Sequence, residues 1–251
     1  MKVLKVKKVY VFFTVTVAFM LHLPFAFSGI KTFSYSNSLF ITNSSPASIN
    51  DNISSSSKMY DSLKLNLCGL SEQAFSYAIK GYDYLKQKGK IGNDNIISIV
   101  DFSRPSSQKR LFVIDIKNFK ILFNTYVAHG QGSGASMATS FSNIPESYQS
   151  SLGFYTTSGT YIGKNGYSMH LEGMERGIND KANERAIVMH GAPYVSESFI
   201  NNQGHLGRSW GCPAVPEKLN KPIIEKIKNG SCLFIFSENQ KYLHSSKILN
   251  S

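Results

Sequence analysis

A chain of 251 residues with 42% hydrophobic side chains and 17% charged ones has the makings of an ordinary globular protein, not a fibrous or fully disordered one. Its net charge of +11 suits a neighbourhood of acidic polymers or membrane surfaces. No dense Lys/Arg run with interleaved aromatics occurs, so nucleic acid is not an expected partner.

The N-terminus carries Lys2, Lys5, Lys7 and Lys8 without an acid, then an apolar run from Val9 to Leu23, then Pro24 and Ala26-Phe27-Ser28. This is the layout of a secretory signal peptide over residues 1–28, cleaved near Ser28. The run is short for a membrane span, so no stable span is expected after cleavage. No cysteine stands at the cleavage site, which argues against a lipid anchor. The expected location is the secreted or periplasmic cell envelope. Removing four lysines leaves +7 on the rest of the chain.

Residues 29–58 are rich in Ser and Asn, with Ser54 to Ser57 in a row, and read as a flexible tether. Residues 59–95 read as a helical segment packing on the main domain. Within it a helix is predicted over 70–88, capped by Ser71, with Phe75, Ala78, Ile79, Tyr82 and Leu85 on one face and Gly89 as the stop.

From residue 96 the pattern changes to short runs rich in Ile, Val and Phe. Strands are predicted at Ile96–Phe102, Arg110–Ile116, Lys120–Ala128, Gly153–Tyr161, Tyr167–Leu171, Ala186–His190 and Leu233–Phe236. Lys117-Asn118-Phe119 makes a hairpin turn between the second and third. Pro216–Lys228 adds a short helix, with Pro222 near its start. The expected fold is mainly β, a barrel or sandwich over residues 96–237, followed by a C-terminal tail over 238–251. About 160–180 folded residues suffice for one core.

Three cysteines are too few for a disulfide scaffold and odd in number. Cys232 lies in an apolar run and reads as an inert buried thiol, although a Cys68–Cys232 bridge is an option in an oxidising compartment. Cys212 differs. Gly211 before it and Pro213 after it fix a stiff bend, and Ser209 stands close enough to hydrogen-bond into that bend. His190-Gly191 ends an apolar strand, and the loop that follows returns to Cys212 after 22 positions. A thiol becomes a strong nucleophile when a base takes its proton. Cys212 and His190 therefore make a candidate nucleophile and base, with a backbone carbonyl near Gly191 to orient the imidazole. The Gly211 and Cys212 N–H groups are candidate oxyanion donors. Equally open at this point is an inert thiol in a binding module.

Three segments together resemble the murein L,D-transpeptidase catalytic domain family, of the YkuD-type fold. They are Ala128-His129-Gly130-Gln131-Gly132-Ser133-Gly134, Ser150-Ser151-Leu152-Gly153-Phe154-Tyr155 and Gly207-Arg208-Ser209-Trp210-Gly211-Cys212-Pro213-Ala214-Val215, with His190-Gly191 between the last two. The resemblance spans roughly Ile97 to Phe236. It implies a β-barrel or sandwich catalytic domain with an N-terminal helix and short peripheral helices. It also implies action on peptidoglycan (murein) stem peptides: Cys212 attacks the carbonyl between an L-centre and a D-residue, D-alanine leaves, and an amine of a second stem takes the acyl group. Water in place of that amine would make an L,D-carboxypeptidase or endopeptidase. By position the resemblance makes Cys212 the nucleophile, His190 the base, the Gly191 carbonyl the orienter and Ser209 a support for the turn. Carbapenem-type inhibitors are then plausible ligands.

Trp210 stands where the wider family has a second histidine, and Pro213-Ala214 replaces an aliphatic residue followed by arginine. Arg208 or Arg185 is expected to supply the missing cation for a substrate carboxylate. Trp210, His129 and Tyr155 are further candidates for contact with substrate. For His129 a strand-exit turn is the first reading and the border of a substrate groove the second; for Tyr155 and Tyr167 core packing is an equal reading. His205 reads as solvent-facing, and Glu172, Glu175 and Asp180 as a solvated acidic loop. No short paired-ligand spacing exists, so neither a metal nor a cofactor is expected.

Overall fold

The computed structural model describes residues 47–251. The signal-like segment and the first part of the Ser/Asn-rich stretch lie outside them. Eight strands form one mixed sheet: β1 Ile96–Asp101, β2 Leu111–Asp115, β3 Lys120–Thr125, β4 Gly153–Gly163, β5 Gly166–Gly173, β6 Val188–Ala192, β7 Ala214–Pro216 and β8 Cys232–Phe236, in the order β3-β2-β1-β8-β4-β5-β6-β7. β1 pairs parallel to β8, and β6 parallel to β7; the other neighbours are antiparallel. The two edges of the sheet then meet. Ala128, three residues beyond β3, donates its N–H to the Ala214 carbonyl of β7 at 2.8 Å, and Gly130 bridges Ser209. The sheet thus closes into a barrel, which removes its free edges.

The apolar strands supply the core on both faces of the sheet. Ile97, Ile99, Val113, Phe154, Leu233, Phe234 and Phe236 are all buried, with the Phe154 and Phe234 rings stacked 4.1 Å apart. β1 and β8 are buried at every position, as strands covered on both faces are. Helix α3, Glu72–Gln87, covers part of the sheet; its Ser71 cap accepts the Ala74 N–H at 3.1 Å, and Phe75, Ala78, Tyr82 and Leu85 face the core. All seven predicted strands and the Lys117–Phe119 hairpin turn are present, with ends shifted by a few residues. The three-residue β7 and helix α4, Glu197–Gln203, have no signal strong enough to predict them.

Several expectations need correction. Residues 47–58, read as flexible tether, belong to helix α1, Ala47–Ser62, which packs through Tyr60, with Leu63 just beyond its end; the Tyr60 hydroxyl donates to the Leu70 carbonyl at 2.6 Å. Pro222 sits inside helix α5, Glu217–Ile227, and not near its start. Its missing N–H leaves only the carbonyl of Lys218, an exposed residue, without its helical donor. All three cysteines are free, so Cys68 and Cys232 do not pair. Cys232 is buried, and burial pushes its thiol far up, in keeping with an inert role.

The C-terminal segment is docked. Helix α6, Gln240–Ser245, buries Tyr242, and Ile248 and Leu249 join the core. Glu175 holds it there. This residue is not part of a solvated acidic loop: it is buried, accepting the Phe154 N–H at 2.8 Å, the Tyr242 hydroxyl at 3.1 Å and the Ser246 hydroxyl. Burial holds its carboxyl above the usual range. Glu175→Ala leaves three buried donors without an acceptor and is expected to cost about 3 kcal/mol, read from urea unfolding, with the C-terminal segment becoming protease-sensitive first.

Candidate active site

Cys212 stands at the entry to β7, and His190 on β6 beside it. The parallel register puts His190 opposite Ala214, two residues after the cysteine. The Cys212 sulfur receives the Val188 N–H at 3.5 Å and lies 3.7 Å from the Ala186 carbonyl, which accepts from the thiol. Val188, whose backbone N–H meets the sulfur, and His190 lie two residues apart on β6. The topology thus brings thiol and imidazole to one corner of the barrel, although no hydrogen bond joins them in this structure.

The imidazole is fixed by its own backbone. Nδ1 lies 2.9 Å from the Gly191 carbonyl. A carbonyl only accepts, so Nδ1 carries the proton and Nε2 keeps its lone pair. Burial lowers the His190 pKa, and the bond to Gly191 raises it in part, so the ring is neutral at pH 7. Burial pushes the Cys212 thiol up; the Val188 N–H and the nearby Arg185 charge draw it down. The resting pair is a thiol beside a neutral base.

Ser209 braces the turn from within. Its hydroxyl donates to the Cys212 carbonyl at 2.6 Å and accepts the Gly211 N–H at 3.1 Å. Gly211 has φ +124°, and a Cβ there would lie 2.8 Å from the Gln149 carbonyl, so only glycine fits. Of the two expected oxyanion donors, Gly211 is therefore already engaged. The Cys212 N–H has no partner among the described residues.

Three candidates for substrate contact turn inward. His129 is fully buried: Arg110 Nη2 donates to Nδ1 at 2.7 Å, and Nε2 lies 3.2 Å from the Gly134 carbonyl. Tyr155 is also fully buried, its hydroxyl donating to the Ser151 carbonyl at 3.0 Å. Arg185 spends its guanidinium on the 142–151 loop, donating to the Ser142 carbonyl at 2.7 Å, the Gln149 carbonyl at 2.6 Å and the Ser151 hydroxyl. None of the three is placed to hold a ligand. The glycines after His129 serve chain against chain, not chain against ligand: a Cβ at Gly130 would lie 2.4 Å from the Tyr148 carbonyl.

Arg208 and Trp210 do face outward. Arg208 is exposed, with one bond to the Gly134 carbonyl at 3.2 Å. Trp210 is 69% exposed and leans on Tyr148, itself 42% exposed, with ring centroids 5.7 Å apart. Neither Tyr148 nor the buried Arg110 emerges from the motifs. Arg110 opens an apolar strand, where a cation reads as a flanking surface residue; only the fold shows that it points in. His205 bonds the Leu206 carbonyl at 2.6 Å and is half-buried. Among the described residues no group of three His, Cys, Asp or Glu side chains is arranged to hold a metal ion.

Residues 67–236 match the family described as the L,D-transpeptidase catalytic domain. The chain belongs to that family. The mainly β barrel with peripheral helices is accordingly an L,D-transpeptidase-type fold. Solved structures similar to it include an L,D-transpeptidase from Mycobacterium smegmatis (10% identity, 57% of this chain and 59% of that one, TM-score 0.36). Others are the helical cell shape determining protein Pgp2 from Campylobacter jejuni (12%, 63% and 56%, 0.39) and an L,D-transpeptidase from Stackebrandtia nassauensis (14%, 76% and 80%, 0.34). No curated protein sequence matches.

Buried neutral histidine gives this domain an acid limit. Burial, then the Arg110 charge, lowers the His129 pKa from 6.5 to about 4. Below pH 6.5 the unfolded chain takes up a proton that the folded one refuses until about pH 4, so stability present above pH 6.5 is lost across that window. The loss reaches about 3 kcal/mol; His190 adds to it, and Glu175, shifted upward, opposes it. Urea unfolding between pH 7 and pH 4 measures the slope, and His129→Asn, whose Oδ1 can still accept from Arg110, should flatten it.

Proposed function

We propose that this protein is a cell-envelope L,D-transpeptidase that forms an acyl-enzyme at Cys212 on peptidoglycan stem peptides and passes it to an amine. The observation that carries the reading is the Nδ1 bond of His190 to the Gly191 carbonyl, which leaves Nε2 as a free base at the corner where Cys212 stands. In the proposed sequence Nε2 takes the thiol proton as the sulfur leaves the Ala186 carbonyl and attacks the substrate carbonyl between an L-centre and a D-residue. The Cys212 N–H receives the developing oxyanion. Collapse expels D-alanine, whose amine takes the proton from His190. An amine of a second stem then gives a proton to His190, attacks the thioester and restores the thiol. Water in its place gives a carboxypeptidase.

The exposed Trp210–Tyr148 pair would wall the acyl site on one side. Arg208 would hold a stem-peptide carboxylate: it is exposed and bonded only to a backbone carbonyl. The basic, signal-like N-terminus supports action in the envelope.

Incubation with a disaccharide-tetrapeptide, or with a carbapenem, should add the acyl mass at Cys212, and Cys212→Ala should abolish it. Labelling that survives in that variant would falsify the assignment. Muropeptide dimers among the products mark transfer; released D-alanine with no dimer marks hydrolysis. Arg208→Ala should raise KM for the stem peptide about tenfold with little change in kcat, as expected for loss of uniform binding. A kcat effect of that size with KM unchanged would place Arg208 elsewhere in the cycle.

A further inference from the structure

The loop over residues 142–151 is drawn shut at its neck. The Ser142 N–H donates to the Ser150 carbonyl at 3.1 Å, and the Ser151 hydroxyl donates to the Ser142 carbonyl at 2.7 Å. Its interior is costly: Glu146 and Tyr148 hold φ of +59° and +53°, a left-handed conformation that disfavours residues with a Cβ and persists only where the surroundings enforce it. The far side of this loop lies on the nucleophile turn. The Gln149 carbonyl sits 2.8 Å from where a Gly211 Cβ would stand, the Ser150 hydroxyl donates to the Gly211 carbonyl at 3.2 Å, and Tyr148 leans on Trp210.

One side chain reaches all these parts. Arg185 Nη1 serves Ser142 and Ser151 across the neck, and Nη2 serves the Gln149 carbonyl and the Ser147 hydroxyl; the same Nη2 lies 3.2 Å from the Gly211 Cβ position. Every acceptor is neutral, Nε is buried without a partner, and no ion pair joins Arg185 to a carboxylate among the described residues. The charge is therefore left uncompensated, next to the cysteine.

We propose that Arg185 is a positioning residue of the acyl-transfer site: its fork clamps the 142–151 loop onto the Ser209–Cys212 turn, and its unpaired charge favours the thiolate of Cys212. The inference rests on Cys212 being the nucleophile. It assigns Arg185 to the enzyme's own loop and thiol instead of to a substrate carboxylate. A lysine at this position keeps the charge, but one ammonium cannot reproduce a planar fork across four acceptors.

The test uses the full chain as wild type, Arg185→Gln and Arg185→Lys. One readout is the pH profile of Cys212 alkylation by iodoacetamide, followed by intact mass. The other is the emission of Trp210, the chain's single tryptophan, which reports its contact with Tyr148. Arg185→Gln should move the alkylation midpoint upward by about one unit, a roughly tenfold slower reaction at neutral pH, and should alter the emission. Arg185→Lys should keep the wild-type midpoint and still alter the emission. A wild-type alkylation profile in folded Arg185→Gln overturns the proposal. Should the glutamine variant not fold, wild-type emission from Arg185→Lys overturns it. A wild-type protein whose Cys212 does not react sinks the nucleophile reading first; a reactive wild type with an unchanged Arg185→Gln sinks this inference alone.

Discussion

The site depends on a guanidinium buried without a hydrogen-bonded carboxylate. Arg110 is fully enclosed, donating from Nε and Nη2 to the Val127 carbonyl at 3.0 Å, from Nη1 to the Arg104 carbonyl at 2.8 Å and from Nη2 to His129. Its cation also lies 4.7 Å from the centre of the Phe102 ring. Burial lowers its pKa to about 9, partly offset by Asp101, so it stays charged at neutral pH. An enclosed charge is tolerable only where dipoles surround it. Two of those partners, Val127 and His129, belong to the segment leaving β3, which the cation thereby fixes in place against the Arg104 carbonyl of the β1–β2 connection. His129 then passes the constraint on through its backbone: its carbonyl accepts the Ser209 N–H at 3.0 Å. The corner that holds Cys212 is set from the centre of the barrel outward.

The same logic shows what was legible in the residues and what was not. β1, β2 and β8 are runs of Ile, Val and Phe, and such runs predict themselves. Cys212, His190 and Ser209 were legible as a candidate site, because a cysteine on a glycine turn and a strand-ending His-Gly stand at a spacing that one loop can close. His129 and Tyr155 lie in motifs near the site and Arg185 just before the strand that ends in His190, and nearness in sequence does not say which way a side chain points. A two-residue period assigns faces, yet a closed barrel has two buried faces wherever a helix or loop covers the outside. Glu175 hid among acids for the same reason: its partners come from β4 and from α6, far away in the chain. Helix α1 was hidden by composition. Its serines and asparagines favour turns by themselves, and the contacts of Tyr60 and Leu63 with the core outweigh that preference.

The departures from the wider family's pattern acquire a physical meaning. Ala214 is fully buried and pairs on both sides, with His190 of β6 and with Ala128 across the closing seam. Its methyl packs with Ala128, Ala192, Val195 and Leu206 in a small cluster of its own. An arginine there would have to push its stem through that cluster or break the seam. The replacement by alanine thus goes with tight closure of the barrel, and any cation for a substrate has to come from the rim. Arg208, one residue before the Gly130–Ser209 bridge of the seam, is the exposed cation on that stretch of chain.

A neutral pair at rest constrains how such a site can work. Desolvation raises the thiol and lowers the imidazole, so both shifts oppose a preformed thiolate–imidazolium pair. In the proposed mechanism the proton moves as the sulfur attacks, and the imidazole has to point its lone pair the right way beforehand. The Gly191 carbonyl does that without a carboxylate partner. A carboxylate would stabilise imidazolium in the resting enzyme; a carbonyl fixes the tautomer and leaves the ring a base. What eases the thiol toward its anion in this arrangement is the Val188 N–H and the unpaired charge of Arg185, both supplied by residues just upstream of His190 on the way into β6. The proposed base, anion support and loop clamp thus come from one stretch of seven residues, from Arg185 to Gly191, and this shared origin fixes their spacing.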